Sequence, residues 1–156
     1  MVTIRSATPE DCALIFSFVQ KKSEFDRSLG AFLGTVQTSP AKIHQTLFSD
    51  PAFAYVLLAA VEPQPIGFAL YYFRYSSFVG QPSLWLDDLY VDESMRSRGA
   101  GSALMQRLAQ IAQAHHCSHL AWTAHARNLR GLKFYERLGA SVTKQEGQTC
   151  FLTWKF

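Results

Sequence analysis

Hydrophobic positions along the chain change period several times, and each change marks a predicted element. Val2 to Arg5 has the short alternation of a strand. In Thr8-Pro9-Glu10-Asp11, Thr8 can cap a helix, Pro9 suits its first turn and the acids suit its dipole. Leu14, Ile15, Phe18 and Val19 then recur at helical spacing before the polar run Gln20-Lys21-Lys22. Ser39-Pro40 repeats the start signal for a shorter helix reaching about Phe48, which Asp50-Pro51 stops.

Ala54 to Val61 is a continuous apolar run of strand length, and Ile66 to Tyr75 is rich in aromatic strand formers, so an antiparallel pair is expected across Glu62 to Pro65. After Gly80-Gln81-Pro82-Ser83 comes a third strand, Leu84 to Val91, in which Asp87 and Asp88 interrupt an otherwise buried pattern. Gly101 to His116 reads as an amphipathic helix with Leu104, Leu108, Ile111 and His115 on one stripe. A short strand His119 to Thr123, a helix Asn128 to Leu138 ended by Gly139, and a closing hairpin around Glu146-Gly147 complete the chain. The order βααβββαβαββ implies an α/β fold, a mixed central sheet flanked by helices.

Composition narrows the picture. A length of 156 residues with 48% hydrophobic content fits one domain, residues 1–156, with a full core. The formal charge of +3 is too slight for a nucleic-acid stripe. Cys12, Cys117 and Cys150 are odd in number and lack CxxC pairing, which points to a reducing, cytoplasmic setting. The apolar run Tyr55 to Val61 is too short to span a bilayer as a helix, so no membrane partner is expected. His115-His116-Cys117-x-His119 resembles a metal cluster, but it lies where a helix gives way to a strand and its side chains diverge; no metal site is expected.

The chemistry concentrates between Leu89 and Ser102, where a strand passes through a basic, glycine-rich turn into a helix. Glycines let backbone amides approach an anion, the helix start supplies partial positive charge, and Arg96 and Arg98 add full charges. No Gly-Lys-Ser/Thr follows, and Leu104 stands where a dinucleotide fingerprint needs its third glycine. Arg96-x-x-Gly99-x-Gly101 after an apolar strand resembles the acyl-CoA pyrophosphate loop of the GNAT N-acetyltransferase superfamily. Asn128 to Ala140, with Phe134-Tyr135 and Gly139, resembles that superfamily's downstream segment. Gly67 to Phe73 and Leu86 to Val91 add a likeness to the diamine (spermidine/spermine) N-acetyltransferase branch.

That resemblance implies a single GNAT domain transferring an acetyl group from acetyl-CoA to a primary amine within a ternary complex. It implies that backbone groups of Leu89, Tyr90 and Val91 hold pantetheine. Ser97, Arg98, Gly99, Ala100, Gly101 and Ser102 would hold pyrophosphate beside Arg96, and Asn128 would also meet the carrier; Arg130, on a helix made basic by Arg127, Lys133 and Arg137 and read by default as a solvated face, is a further candidate for a carrier phosphate. Tyr135 would lie near the sulfur. The acceptor class it implies is a diamine, polyamine or thialysine-like amino acid, and the likeness alone suggests a homodimer.

An alkylammonium is not nucleophilic until it loses a proton, so the site needs a carboxylate path for that proton. Asp87 is the candidate base, acting through water. Asp88 competes, because adjacent strand residues face opposite sides unless a bulge re-aims one. Tyr135 is the candidate acid for the departing thiolate, although Leu132, Tyr135 and Leu138 also fall at the spacing of a packed helix face. The resemblance places Glu24 and Glu146 near the amine end of the cleft, while Glu24, Asp26 and Glu146 otherwise read as solvated acids. Two other functions fit the same motifs: acetylation of a peptide N-terminus or protein lysine, and binding of acyl-CoA without turnover.

Overall fold

All the expected helices and strands are present, in the expected order, in the computed structural model, which describes residues 1–156. They are β1 (Val2–Ser6), α1 (Cys12–Ser28), α2 (Pro40–Leu47), β2 (Tyr55–Val61), β3 (Gln64–Ser76), β4 (Gln81–Val91), α3 (Ala100–Ala114), β5 (Leu120–His125), α4 (Leu129–Leu138), β6 (Ser141–Glu146) and β7 (Thr149–Trp154). The strands form one seven-stranded sheet in the order β1-β2-β3-β4-β5-β7-β6. Every neighbouring pair is antiparallel except β4 and β5, which run parallel with α3 as their crossover.

Alternation along the strands builds two cores. In β2, Leu57 and Ala59 enter the larger core with Leu104, Met105 and Leu108 of α3, while Val56 and Leu58 enter a smaller one with Ile15 and Phe18 of α1 and Ile43 of α2. Leu104 and Leu108 are fully buried, each contributing roughly 1.5–3 kcal/mol of transfer free energy. α4 adds Tyr135 to the larger core, with Leu132 and Leu138 packed against it.

Differences from the expected elements include the following. α1 does not stop at Gln20-Lys21-Lys22 but runs on to Ser28, because Lys22 pairs with Asp26 one turn later and carries the helix through its polar stretch. β4 begins at Gln81, pairing with Ser76, so the turn before it is shorter than the run of turn residues suggested. His115 is not part of the buried stripe of α3; it is exposed at the helix end, its ring 4.8 Å from that of Phe73 and its Nδ1 2.9 Å from the Ile111 carbonyl.

The start of α1 is held by a charge-assisted cluster. Asp11 accepts from both terminal nitrogens of Arg5 at 2.7 and 2.9 Å and from the Thr8 backbone N–H at 2.7 Å. The Arg5 guanidinium, chiefly by hydrogen bonding, lowers the Asp11 pKa to about 2. A lowered folded-state pKa stabilises the fold above the ordinary carboxylate range, and that stabilisation is lost as pH falls. Half of the Arg5 side chain is in water, which limits the effect. Asp11→Asn is expected to cost about 1 kcal/mol in urea unfolding at neutral pH. The gap between variant and wild type should close as pH drops from 3.8 towards about 2; a gap that persists unchanged there would contradict this account.

Candidate active site

β4 and β5 are paired only at Leu84 with Leu120 and Trp85 with Ala121, after which the two strands part. From Leu86 to Val91, β4 keeps its antiparallel bonds to β3 on one side and has no strand on the other. Backbone groups along that open edge need partners, so the cleft favours an extended molecule that can hydrogen-bond like a strand. Leu89, Tyr90 and Val91 form one wall of a cavity of about 390 Å³ in this cleft.

Its floor is the turn into α3. Ser97 (φ 65°) and Gly99 (φ 88°) both adopt the left-handed conformation, the first at some steric cost, and this folds the chain tightly before the helix. Gly99 is the N-cap and has no side chain to accept from the first amides of α3, which leaves them available to an anion. Arg130 of α4 donates to the Ser97 hydroxyl at 2.8 Å, fastening the turn to α4. Arg96 Nε donates to the Val91 carbonyl at 2.8 Å while its guanidinium lies over the rings of Phe25 and Tyr90, 5.0 and 5.5 Å from their centres.

Gly99, Ala100, Gly101 and Ser102 also line this cavity, as do Arg96, Ser97, Asn128, Arg130 and Tyr135. Arg98 does not; it is exposed. A Cβ on Gly101 would come within 3.1 Å of the Phe134 ring, so glycine here lets α3 and α4 close on each other. Asn128 caps α4 by accepting from the Gly131 N–H at 3.0 Å. The wall carries Arg96, Arg130 and Arg137 and no acid, beside apolar Leu89, Phe134 and Leu138. A molecule with an anionic end and a long, weakly polar arm suits it.

A second cavity, of about 250 Å³, abuts the first and shares Phe25, Leu89, Asn128 and Tyr135 with it. Its acids are Asp26, Asp87 and Asp88. A bulge brings the last two together: Leu70 pairs with Asp88 but Tyr71 pairs with Leu86, leaving Asp87 as the extra residue. The bulge also reverses the alternation of β4. Leu84 and Leu86 before it face the larger core, as Leu89 and Val91 do after it, while Tyr90 packs on the smaller core.

Asp88 therefore turns towards α1, its Oδ1 4.0 Å from Lys22 Nζ, and desolvation raises its pKa to about 6 despite that ammonium. Asp87 is exposed on the cavity rim and accepts from Trp85 Nε1 at 3.2 Å. Tyr135 is 8% exposed, and its phenol is pushed well above 10 by burial and then by the charge of Asp26, so it stays protonated at neutral pH.

Glu24 and Glu146 line neither cavity; both are exposed, and Glu146 pairs with Lys144 at 2.6 Å. Among the lining residues that were not sequence candidates are Lys22, Trp122 and His125. Lys22 could have been found from its spacing to Asp26. Trp122 reads as a core residue, and its buried Nε1 has no partner. His125 carried no signal, since only the parting of β4 and β5 brings it to the cavity. No three His, Cys, Asp or Glu side chains are grouped to hold a metal ion, and the Nδ1 atoms of His115 and His119 face the Ile111 carbonyl and the Ser118 hydroxyl.

Comparison with known proteins bears on what this geometry is for. Residues 22–140 match the family model described as Acetyltransferase (GNAT) family. Thialysine N-epsilon-acetyltransferase of Bos taurus is 31% identical over 159 residues, covering 96% of this chain and 91% of its own. Spermidine/spermine N(1)-acetyltransferase-like protein 1 of Homo sapiens is 29% identical over 95% of this chain and 22% of its own length. The BH1408 tetramutant of Bacillus halodurans shares the fold, with a TM-score of 0.78 at 19% identity over 92% of this chain and 96% of that one.

The raised pKa of Asp88 has a consequence for stability. A carboxylate held above its ordinary value binds its proton more tightly folded than unfolded, so the fold gains stability as pH falls from about 6 towards 3.8. At pH 7.5 the ionised group opposes folding, and Asp88→Asn should be more stable than wild type there by about 1–3 kcal/mol. Denaturant unfolding at pH 7.5 and pH 5 should show that advantage shrinking on acidification. A variant less stable at both pH values would refute the assignment.

Proposed function

The chain belongs to the GNAT family of acetyltransferases and is an acetyl-CoA-dependent N-acetyltransferase, and from that premise we propose that its acceptor is the primary amine of a small diamine, polyamine or thialysine-like amino acid, acetylated while both substrates are bound. One observation carries this reading: a basic cavity and an acidic cavity meet at Tyr135. The relatives named for thialysine and for spermidine/spermine support the choice of acceptor.

Acetyl-CoA supplies the activated acetyl group, and the donor set of the first cavity fits it. The open amides from Gly99 to Ser102, with Arg96 and Arg130, suit the phosphates, and the free edge from Leu89 to Val91 suits the pantetheine amides. Arg98, outside the cavity, and Asn128, through the N-terminus of α4, contribute at its margins.

In the second cavity, Asp87 or its neighbour Asp88 takes the ammonium proton through water, giving the neutral amine that attacks the thioester carbonyl. A backbone amide of β4 near Leu89 stabilises charge developing on the carbonyl oxygen. As the C–N bond forms and the C–S bond breaks, the Tyr135 hydroxyl gives its proton to the leaving sulfur, and the second proton shed by the acetylated nitrogen returns through water to the phenolate. Glu24 and Glu146 act in this reading only through long-range attraction of a cation.

The reading also takes the protein to be a cytoplasmic homodimer. The three buried, unpaired cysteines support a reducing compartment, and exposed Tyr75, Phe78 and Val79 offer apolar surface to a second copy.

Incubation with acetyl-CoA and spermidine, putrescine, lysine analogues or peptides, followed by free thiol, tests the proposal. Thiol release is expected with the small amines; release with peptides alone, or tight CoA binding without release, would overturn it. Tyr135→Phe should lower kcat by about a hundredfold with little change in CoA affinity; unchanged turnover would remove Tyr135 from the acid role. Asp87→Asn and Asp88→Asn separate the two carboxylates. The variant lacking the base should recover activity as pH rises and free amine appears, and a uniform loss at every pH in both would exclude proton handling by either.

A further inference from the structure

The acidic cavity already contains an ammonium group. Lys22 Nζ donates to both oxygens of Asp26, at 2.7 and 2.6 Å, and lies 4.0 Å from Asp88 Oδ1 on a different element. Its side chain is 19% exposed and those of Asp26 and Asp88 are 27% and 24% exposed, so these charges are less screened than a surface pair one helical turn apart. The remaining charged group of the cavity, Asp87, is at its rim.

We propose that Lys22 is a specificity-determining residue: by holding Asp26 and leaving its own charge in the cavity, it disfavours acceptors whose second group is cationic and favours those whose second group is uncharged or anionic. The proposal rests on the small-amine reading above and narrows it.

An acceptor with two ammonium groups needs one neutralised near the reacting carbonyl and a carboxylate for the other. Asp26 lies in the cavity for that second role but is already paired with Lys22, and Asp88 also faces Lys22, so a second ammonium must displace Lys22 or share these carboxylates with it. Like charges brought together in a partly dry cavity penalise the wrong partner more than they help the right one. An acceptor ending in a carboxylate meets a different situation, because Lys22 keeps a third N–H beyond its two bonds to Asp26 and can donate it to that carboxylate. His125, from β5, adds a donor: its Nδ1 accepts from the Arg127 N–H at 3.1 Å, so in the neutral ring the proton is on Nε2.

Three acceptors of one chain length test this: hexamethylenediamine, hexylamine and ε-aminocaproate, whose far ends are an ammonium, a methyl group and a carboxylate. Wild type is expected to show the highest kcat/KM with ε-aminocaproate and the lowest with the diamine. Lys22→Met should raise the ratio of diamine to ε-aminocaproate by about tenfold or more, chiefly through KM, and Lys22→Arg should keep the wild-type order. Lys22→Gln serves if the methionine variant does not fold. A ratio that stays within about twofold of wild type in the variants lacking charge, or that moves the other way, overturns the proposal while leaving the small-amine reading intact. Failure of wild type to release thiol with these three and with lysine and spermidine refutes both.

Discussion

The parting of β4 from β5 is the constraint on which the site depends. A parallel pair requires a crossover, here α3, and both strands are oriented so that their carboxyl-terminal halves diverge after Trp85 and Ala121. Ligands of open α/β sheets settle beyond the carboxyl ends of parallel strands for the same reason, since only there is backbone left unpaired beside a helix N-terminus. One geometric event thus supplies the free edge of Leu89 to Val91 and the room for α4 to set Tyr135 against it. The Arg130 to Ser97 hydrogen bond and the Arg96 to Val91 bond hold the turn in the shape that keeps the α3 amides exposed.

A second local event places the acids. Without the bulge, Asp87 and Asp88 would continue a strict alternation, and Leu89 and Val91 could not return to the face that Leu84 and Leu86 occupy. Inserting Asp87 corrects the register of the apolar residues and leaves two carboxylates beside the same cavity in different environments. Asp88 is desolvated and faces Lys22; Asp87 is on the rim and hydrogen-bonded to Trp85. The backbone irregularity that repairs core packing is also what differentiates the two acids.

Most of the element order was legible because each element carries its own local signal: Thr8 and Ser39 at helix starts, Gly139 at a helix end, and Leu104 with Leu108 one turn apart. The basic turn was legible for a similar reason, being contiguous. The second cavity was less so, since it is assembled from α1, β4, β5 and α4 by pairings that no local pattern records. Glu24 and Asp26 illustrate the limit. They are two residues apart in α1, about 200° around the helix, and only Asp26 lines the cavity. The bulge at Asp87 was foreseeable as a possibility, but its occurrence depends on the partner strand.

The two cavities carry opposite charge at close range, and the residues they share separate the two sets of charged groups. Phe25, Leu89, Asn128 and Tyr135 carry no formal charge at neutral pH, so the arginines on one side and the aspartates on the other meet across a neutral wall. Tyr135 in that wall is affected by the acids: burial raises its pKa first, and the charge of Asp26 raises it further. One carboxylate of the second cavity thus helps keep the phenolic proton in place. Lys22, hydrogen-bonded to both oxygens of Asp26, tempers that charge. In the proposed reading, acceptor selection and the protonation of Tyr135 therefore meet at a single aspartate.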